Sequence, residues 1–389
     1  MALLTSSPAT VSVTSFPYSL PPSGQALLIG SNFAESVRPP THSAYDWNYA
    51  LFFFYGGGVF VEAYSAGGAY VIAGSGGHDV PPNFGGCLFD FADATWKRID
   101  NANGMPWFNR DLNAPGYSGE INSAGEINYP GVSPGIPAPS HLYGNVQPLS
   151  AAKGGGSRGS ALLLRSSAAG YSSNFGSGFA HRFDLSTGLW TRQSTNQPTA
   201  NSSFRTTCYD PVTDRYYMLR YELNESGNLD YLDGADWTWK TVRIGNPAPD
   251  GDNKSAFIDE ARRLLIMQTS TGKLRAIDLN NMGAGPVVLK TEGRLPGDNQ
   301  SRWHLYPADG CWYTANGGNS IHKIQPPAGN PLTETWTVST VQIGGATLAS
   351  QGAQASQGAV HNTRFFYVRP IGCFAWIAGE RNQVAILKP

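Results

Sequence analysis

The stretch CLFDFADATWKRI, residues 87–99, places an aspartate six residues before a tryptophan, and the same spacing recurs twice further along the chain. The other copies are HRFDLSTGLWTRQ at residues 181–193 and NLDYLDGADWTWKTV at residues 228–242. A strand ending near Asp, a turn rich in Asp, Ser, Thr and Gly, and a strand opening on Trp predict a β-hairpin. The paired residues are Asp90 and Trp96, Asp184 and Trp190, and Asp233 and Trp239.

Two weaker copies extend this pattern. Residues 274–289, LRAIDLNNMGAGPVVL, keep Asp278 but lack the tryptophan, and residues 320–338, SIHKIQPPAGNPLTETWTV, keep Trp336 after a longer loop. A second, more apolar hairpin lies before most copies and again near the C-terminus. Two hairpins give four strands, and a repeat of about 45 to 50 residues with four strands is typical of a β-propeller blade.

The repeats predict six blades, at residues 48–101, 141–194, 203–245, 254–291, 302–345 and 358–389. The last blade stops after its third strand. Residues 9–16, ATVSVTSF, are similar to TWTVSTVQ at residues 335–342, so we expect them to supply the missing strand. Closing the ring in this way removes the open sheet edges of a linear array. We therefore expect an all-β fold, a single six-bladed propeller domain closed by an N-terminal strand.

Three segments do not follow the repeat. Residues 103–139 form a long Gly/Pro/Asn-rich inserted loop that carries Trp107 and Tyr117, and residues 344–357 form a low-complexity loop. Residues 20–44 are irregular, and either dock elsewhere as an arm or pack against the ring. Long irregular loops in a compact domain are either functional or disordered. The aromatic residues of the first loop favour an ordered, binding role.

Paired glycines after an apolar strand, then an apolar strand with Asp, then Trp, are the residues by which kelch-type propellers are known. The chain resembles that class, including the propeller domain of galactose-oxidase-like proteins. Residues 70–99, with PAPSHLYGNV at residues 137–146, also resemble uncharacterised kelch-like proteins of bacterial and phage genomes. The resemblance implies a kelch-like propeller fold, whereas function depends on a site that the fold alone does not define.

Composition excludes several classes of function. Only 14% of residues are charged and the formal net charge is -1, so neither sequence-specific binding of nucleic acid nor attachment to an anionic membrane is expected. The longest apolar run, ALFFFY at residues 50–55, is far shorter than the about 20 residues of a membrane-spanning helix, so no membrane insertion is expected. The N-terminus lacks the basic and apolar regions of a signal peptide. Four scattered cysteines without a CxxC pair predict reduced, half-buried thiols.

Known catalytic motifs are absent or out of context. The copper centre of the oxidase branch requires adjacent Tyr and His, and no Tyr-His dipeptide occurs. GGGSRG at residues 154–159 matches both GxGxxG and GxSxG patterns, but an apolar strand rather than a helix follows it. Arg205, Arg302 and Arg364 with Glu62 do not have a spacing that singles out a sialidase-type site. We therefore expect no enzyme activity, no catalytic residues, no metal and no cofactor.

Candidate ligand contacts come from two places. His78 and Asp79 follow the glycine pair of the first blade, where they either cap a turn or contact a ligand. Other polar residues stand near the starts of blades, whose first strands line the channel, and form either a cationic rim or bonds to neighbouring backbone. They are His141, His304, His361, Arg205, Lys254 and Arg302. Trp47, Trp107 and Trp376 lie outside the repeated tryptophan position, so stacking on a sugar is one role open to them.

These features predict a non-enzymatic propeller scaffold for binding or assembly. A surface rich in Gly, Ser, Asn, Thr and aromatic residues is typical of extracellular proteins, and a phage virion protein needs no export signal. The leading hypothesis is a tail-associated structural or host-recognition protein, assembled in the host cytoplasm with other virion proteins, as a ring assembly or otherwise, and able to contact a surface glycan. The alternatives are a glycan-binding or glycan-cleaving propeller and a cytoplasmic protein-interaction module.

Overall fold

Short strands between turn residues build the described chain. The structure is a computed structural model that describes residues 15–38, 58–73, 86–99, 137, 144–164, 179–195, 205–220, 227–244, 253–269, 271–296, 302–349, 363–379 and 381–389. Within these ranges the strands form six small sheets, and the helices are 3-10 turns of three or four residues. The molecule is an all-β, six-bladed β-propeller, as the repeats predict.

The first three blades are antiparallel four-stranded sheets whose strands follow chain order. Blade 1 contains β2 (Gly58–Val61), β3 (Ala69–Ala73), β4 (Gly86–Asp90) and β5 (Thr95–Ile99). Blade 2 contains β6 (Val146–Leu149), β7 (Ser160–Leu163), β8 (His181–Asp184) and β9 (Leu189–Arg192). Blade 3 contains β10 (Arg205–Asp210), β11 (Arg215–Arg220), β12 (Asn228–Asp233) and β13 (Trp239–Arg243).

Blades 4 and 5 have the same order, with one addition. Blade 4 contains β14 (Asn253–Asp259), β15 (Leu264–Thr269), β16 (Leu274–Asp278) and β17 (Val287–Val288). Blade 5 contains β19 (His304–Tyr306), β20 (Cys311–Thr314), β21 (Ser320–Gln325) and β22 (Trp336–Gln342). The short strand β18 (Thr291–Glu292) pairs in parallel with β22 and extends the sheet outward.

Blade 6 closes the ring, but not with the predicted strand. Its own strands are β24 (Phe365–Val368), β25 (Cys373–Trp376) and β26 (Val384–Lys388), and β1 (Gln25–Ile29) pairs antiparallel with β26. The prediction of an N-terminal closing strand is therefore confirmed, whereas its placement at residues 9–16 is wrong because β1 occupies that edge. Residues 9–14 of the predicted strand lie outside the described residues.

Two segments that looked irregular in sequence contain regular structure. Residues 20–44 include β1 and a 3-10 helix, Ala34–Val37. The start of the predicted low-complexity loop is β23 (Gly344–Gly345), which pairs in parallel with β1. The sheet of blade 6 thus gains a fifth strand, because a Gly-Gly pair carries no side chain that would keep its backbone from a neighbouring strand. Residues 350–357 of that loop lie outside the described residues, as does the predicted loop 103–139 except Pro137.

Apolar clusters between neighbouring blades hold the ring together. Six clusters occur in the described residues, one at each junction, and each draws its residues from two adjacent blades. Trp96, Trp190, Trp239 and Trp336 are all at most 7% exposed and belong to four different clusters. The repeated tryptophans therefore form part of the core between blades. At the junction of blades 3 and 4, where the repeat lacks Trp, Leu279 and Met282 occupy the cluster.

The conserved spacing within the hairpin follows from turn geometry. Asp90 accepts a hydrogen bond from the Ala92 backbone N–H at 3.0 Å, and Asp233 accepts one from Ala235 at 3.0 Å. A carboxylate that binds the backbone two residues ahead stabilises a tight turn. The strand after the turn then carries tryptophan as its first or second residue, and the side chain reaches the junction between blades.

Another glycine pair of blade 1, separate from the pair before His78, lies in a tight turn. Gly67 and Gly68 lie in the turn between β2 and β3, and Gly68 has φ of +70°. A Cβ atom at Gly67 would lie 2.6 Å from the Ala92 backbone nitrogen, and one at Gly68 would lie 2.3 Å from the ring of Phe60. The turn therefore packs directly against its own blade, which leaves no room for a side chain at either position.

The four cysteines and Trp376 are buried. Cys87, Cys208, Cys311 and Cys373 are free thiols, as expected, but they are buried rather than half-buried. Trp376 is 1% exposed and donates its indole N–H to the Ala349 carbonyl at 2.9 Å, so it belongs to the core and cannot stack on a sugar. Trp47 lies outside the described residues. In the part of the chain that is described, no helix is long and apolar enough to cross a bilayer.

Candidate functional site in the central channel

The first strand of every blade contributes to one cavity. The first strands β2, β6, β10 and β14 contact their neighbours in turn, and β19 contacts β24. The penultimate residue of each first strand lines the cavity, and these six residues are called the mouth ring here. They are Phe60, Pro148, Tyr209, Ile258, Leu305 and Tyr367.

The cavity has two parts that meet along blades 3, 5 and 6. Each part has a volume of about 780–790 Å³, and both are lined by Tyr209, His304, Leu305, Tyr367 and Arg369. One part extends over blades 1 and 2 and is called the outer part. The other extends toward blade 4 and is called the inner part because Arg302 lines it. We call the two parts together the channel cavity. A concave space of several hundred Å³ with apolar walls and few polar groups is typical of small-molecule sites.

Arg302 crosses the channel. It precedes the first strand of blade 5, and its Nη2 donates to the carbonyl oxygen of Gly144, 2.9 Å away, at the start of blade 2. Blades 5 and 2 face each other in a ring of six. A second carbonyl, that of Thr207 in blade 3, lies 3.5 Å from the same nitrogen. The guanidinium therefore connects three blades at the inner end of the cavity.

Because Gly144 has no side chain, the guanidinium of Arg302 can approach its carbonyl oxygen. A Cβ atom there would lie 3.3 Å from Nη2 of Arg302 and 3.2 Å from Oγ1 of Thr206. The Gly144 carbonyl also accepts a hydrogen bond from the Thr207 hydroxyl at 2.6 Å, and Gln147 donates to the Thr207 carbonyl at 2.8 Å. A dense network of backbone acceptors thus holds one face of the guanidinium.

His304 stands beside Arg302 and is uncharged at neutral pH. Burial, and then the positive charge of Arg302, lower its pKa to about 3, against a smaller opposing effect from a backbone hydrogen bond at Phe365. Its Nε2 atom is buried and has no hydrogen-bond partner among the described residues. The imidazole is half-buried and lines both parts of the channel cavity. It presents a neutral ring with an unused nitrogen.

Charged residues at the outer rim are already paired. Glu62 and Arg369 approach to 3.7 Å, and both side chains are more than half exposed. Lys153 forms a 2.6 Å ion pair with Asp214. Of the cationic side chains that line the described cavity, Lys153, Arg262 and Arg369 each pair with a carboxylate, and Arg302 pairs with none among the described residues.

Tyrosines supply much of the apolar wall. The rings of Tyr209 and Tyr216 stack with centroids 4.5 Å apart, and the Tyr209 hydroxyl donates to Asp214 at 2.9 Å. Burial and the hydrogen bond to Asp214 raise the pKa of Tyr209, so the phenol stays protonated. Tyr367 packs edge-on against Phe374, with ring centroids 5.3 Å apart. Fixed aromatic faces with a polar tip suit a ligand that is both apolar and hydroxylated.

Of the predicted ligand contacts, the structure brings Arg302 and His304 together. Arg302 bonds to backbone, as in the second of the two roles considered from sequence, but in blades 2 and 3 and not in the neighbouring blades 4 and 6. Arg205 is the first residue of β10, and its side chain lies outside the described part. The remaining candidates lie outside the described residues, namely His78, Asp79, Trp107, Tyr117, His141 and His361.

Sequence reasoning missed the mouth ring. Phe60, Tyr209, Leu305 and Tyr367 sit one residue before the end of a first strand, a position that becomes recognisable once the blades are aligned on their strands. Nothing in their residue types marks them individually. In the described ranges, no group of three or more His, Cys, Asp or Glu side chains is placed to hold a metal ion.

Comparisons with known proteins do not identify a family for this chain. No protein-family profile matches the chain, and no curated protein is significantly similar in sequence. Among solved structures, the chain is similar to a structural genomics protein of unknown function from Bacteroides thetaiotaomicron VPI-5482. The TM-score is 0.49 and the identity 11%, over 93% of this chain and 74% of that chain. The kelch-type class and the likeness to phage proteins therefore stay predictions from sequence.

Proposed function

We propose that this protein is a non-enzymatic binding scaffold that holds a ligand in the channel cavity. The observation that carries the proposal is the mouth ring, because all six blades contribute one side chain each to a single concave space. The polar groups beside it are held by other protein groups, as in the pairs of Glu62 with Arg369 and Lys153 with Asp214. Such an arrangement suits recognition, which needs pre-formed walls and a few fixed polar contacts.

A glycan is the ligand class that fits these walls best. Three mouth-ring residues are aromatic, and aromatic faces bind the apolar faces of sugar rings while polar tips bind hydroxyls. His304 adds an uncharged nitrogen, and the Arg302 guanidinium adds donors at the inner end. The proposed ligand is the end of a saccharide, because side chains from all six blades surround this one space.

Binding to a glycan array, together with an assay for release of reducing sugar, tests this function. Leu305→Arg places a long charged side chain in the mouth from a residue that is 40% exposed. Leu28→Arg is the matched control, since Leu28 is 48% exposed on β1, away from the cavity. We expect binding by the wild type and Leu28→Arg, loss of binding in Leu305→Arg, and no sugar release. Sugar release would contradict the non-enzymatic role, and equal binding by both variants would contradict the site.

A place on a virion, as a tail-associated structural or host-recognition protein, is the setting we propose for this scaffold. What supports it is composition, with 14% charged residues and 46 glycines in 389 residues. Its partners would be neighbouring virion proteins and a cell-surface glycan. Antibody labelling of purified particles tests the setting. Label on the tail is expected, whereas protein found only in the particle-free fraction would favour the cytoplasmic interaction module instead.

A further inference from the structure

We propose that Arg302 binds the carboxylate of an acidic sugar at the inner end of the channel cavity. This inference rests on the proposed function and names the class of ligand. The geometry behind it is a cation that faces a cavity without a carboxylate partner in the described residues, beside a neutral imidazole with an unused nitrogen.

The described arginines differ in how their charge is balanced. Arg263 donates to both carboxylate oxygens of Asp210 at 2.7 Å, and Arg262 pairs with Asp259 at 2.9 Å. Arg302 lies within ion-pair distance of no carboxylate among the described residues, and its bonds there run from Nη2 to backbone carbonyls. Its Nε and Nη1 have no protein partner in that part of the chain. A guanidinium offers five donors, and most of them are free for a ligand.

Burial makes the missing partner costly. Because the surrounding protein desolvates the guanidinium, the pKa of Arg302 is lowered. A buried cation without a counter-charge is unfavourable, and a carboxylate in bidentate contact offsets that cost better than any neutral group. The inner part of the channel cavity lies directly against Arg302 and has room for such a group.

The charge balance favours a carboxylate over a phosphate. His304 is neutral, so Arg302 contributes a single positive charge at this end of the cavity. A carboxylate carries one negative charge and matches it. A phosphate group with nearly two negative charges would leave excess negative charge in a partly desolvated space, since Arg369 and Lys153 are already paired.

The other walls favour a sugar as the carrier of the carboxylate. Leu305 is 40% exposed at the mouth, and Tyr367 lies beside it across the junction of blades 5 and 6. These side chains can pack against the apolar face of a pyranose ring.

Calorimetric titration of the full chain with D-glucuronate and D-glucuronamide tests the proposal without any substitution. The two probes differ only in charge at one group. We expect D-glucuronate to bind at least ten-fold more tightly than D-glucuronamide and than inorganic phosphate. Equal affinity for the acid and its amide, tighter binding of phosphate, or no binding of D-glucuronate would each overturn the proposal.

Variants then locate the contact. We expect Arg302→Lys to weaken D-glucuronate binding about ten-fold, because an ammonium cannot form the two-pronged contact, while D-glucuronamide binding changes less than three-fold. Arg243→Gln, an exposed arginine on the outer strand of blade 3, should leave both affinities unchanged. Unchanged D-glucuronate affinity in Arg302→Lys would overturn the assignment.

The result separates this proposal from the function on which it rests. If the glycan array shows binding that Leu305→Arg abolishes, but acid and amide bind alike, the channel site stands and the role of Arg302 fails. If Leu305→Arg leaves all binding intact, the proposed function itself fails. Should Arg302→Lys not fold, the acid-to-amide ratio of the wild-type chain still decides the question.

Discussion

The outer hairpins and the channel cavity use the same six-fold repeat in opposite ways. At the equivalent position of the fourth strand, blades 1, 2, 3 and 5 all place a buried tryptophan. At the equivalent position of the first strand, the mouth ring carries Phe, Pro, Tyr, Ile, Leu and Tyr. Identical residues at repeated positions build the frame, because every junction between blades has the same geometry. Different residues at repeated positions build a cavity with a distinct wall on each side.

This difference separates residues that affect stability from residues that affect binding. Frame residues should change the free energy of unfolding and leave ligand affinity intact in whatever protein still folds. Substitutions of mouth-ring residues, which are mostly half-buried, should lower ligand affinity and change the free energy of unfolding little.

The largest effect is expected from removing a frame tryptophan. Trp96 is 2% exposed between blades 6 and 1, where its ring contacts Phe89 edge-on with centroids 5.5 Å apart. Trp96→Ala should lower the free energy of unfolding by about 4 kcal/mol, through lost burial and the cavity that remains. Urea denaturation followed by tryptophan fluorescence measures this. A loss below about 1 kcal/mol would mean that the repeated tryptophan is not part of the frame.

A charge on the closing strand should cost nearly as much. Ala26 on β1 is fully buried in the cluster between blades 5 and 6, whereas Leu28, two residues later, is 48% exposed. Ala26→Asp should destabilise by about 3 kcal/mol, because it buries a carboxylate without a partner. Leu28→Asp serves as the matched control and should change stability by less than about 1 kcal/mol. Equal, small effects in thermal and urea unfolding would show that β1 does not close the ring.

The buried ion pair between blades 3 and 4 should make stability depend on pH. Burial opposes ionisation of Asp210, but hydrogen bonds from Arg263 and Thr213 outweigh that effect and lower its pKa below the usual 3.8. The stabilisation is therefore complete above about pH 4 and is lost as the pH falls through the lower, folded value.

Asp210→Asn removes this pH dependence. At pH 7 we expect a loss of about 2 kcal/mol, because Arg263 keeps its charge without the carboxylate. Between pH 4 and pH 2 the variant should lose less stability than the wild type does. Parallel urea titrations at pH 7, 4, 3 and 2 measure both effects. Identical pH profiles would contradict the inferred role of the pair.

The smallest effect is expected at the surface of the outer hairpins, which also carry the frame tryptophans. Lys97 binds both Asp90 and Asp93 at 2.6 Å, but its side chain is 37% exposed. Water and salt screen such pairs, so Lys97→Ala should cost about 0.5 kcal/mol or less. Chemical denaturation in low and high salt measures this, with the difference between variants shrinking in high salt. A loss comparable to that of Trp96→Ala would show that the lysine, and not the tryptophan, secures the hairpin.

Sequence patterns predict the frame well, because the residues that build it repeat. The spacing of Asp90 and Trp96 reflects a local turn in which the carboxylate binds the backbone N–H two residues ahead, and this turn forms in blades 1 to 4. The closing strand was misplaced because β1 reads as a plain apolar run after Pro-Pro-Ser-Gly, while residues 9–16 alternate like a strand of another blade. A four-residue apolar run between turn residues is also typical of a strand, and this signal would have identified β1.

The cavity was predictable only in part. Arg302 and His304 were recognisable because they stand near the start of a blade, where side chains meet the channel. Tyr209, Leu305 and Tyr367 are not marked by type, and they become neighbours only when the ring closes. The crossing from Arg302 to Gly144 spans 158 residues of sequence between opposite blades, a distance over which no local pattern carries information.

Hydrogen–deuterium exchange of the full chain with and without D-glucuronate tests the contrast between frame and cavity most directly. Added protection is expected in peptides that contain the mouth ring and its neighbours, at residues 60–63, 148–153, 209–216, 256–262, 302–306 and 367–369. No change is expected in the outer hairpins at residues 86–99, 181–192 and 228–243. Protection confined to the outer hairpins would contradict the account.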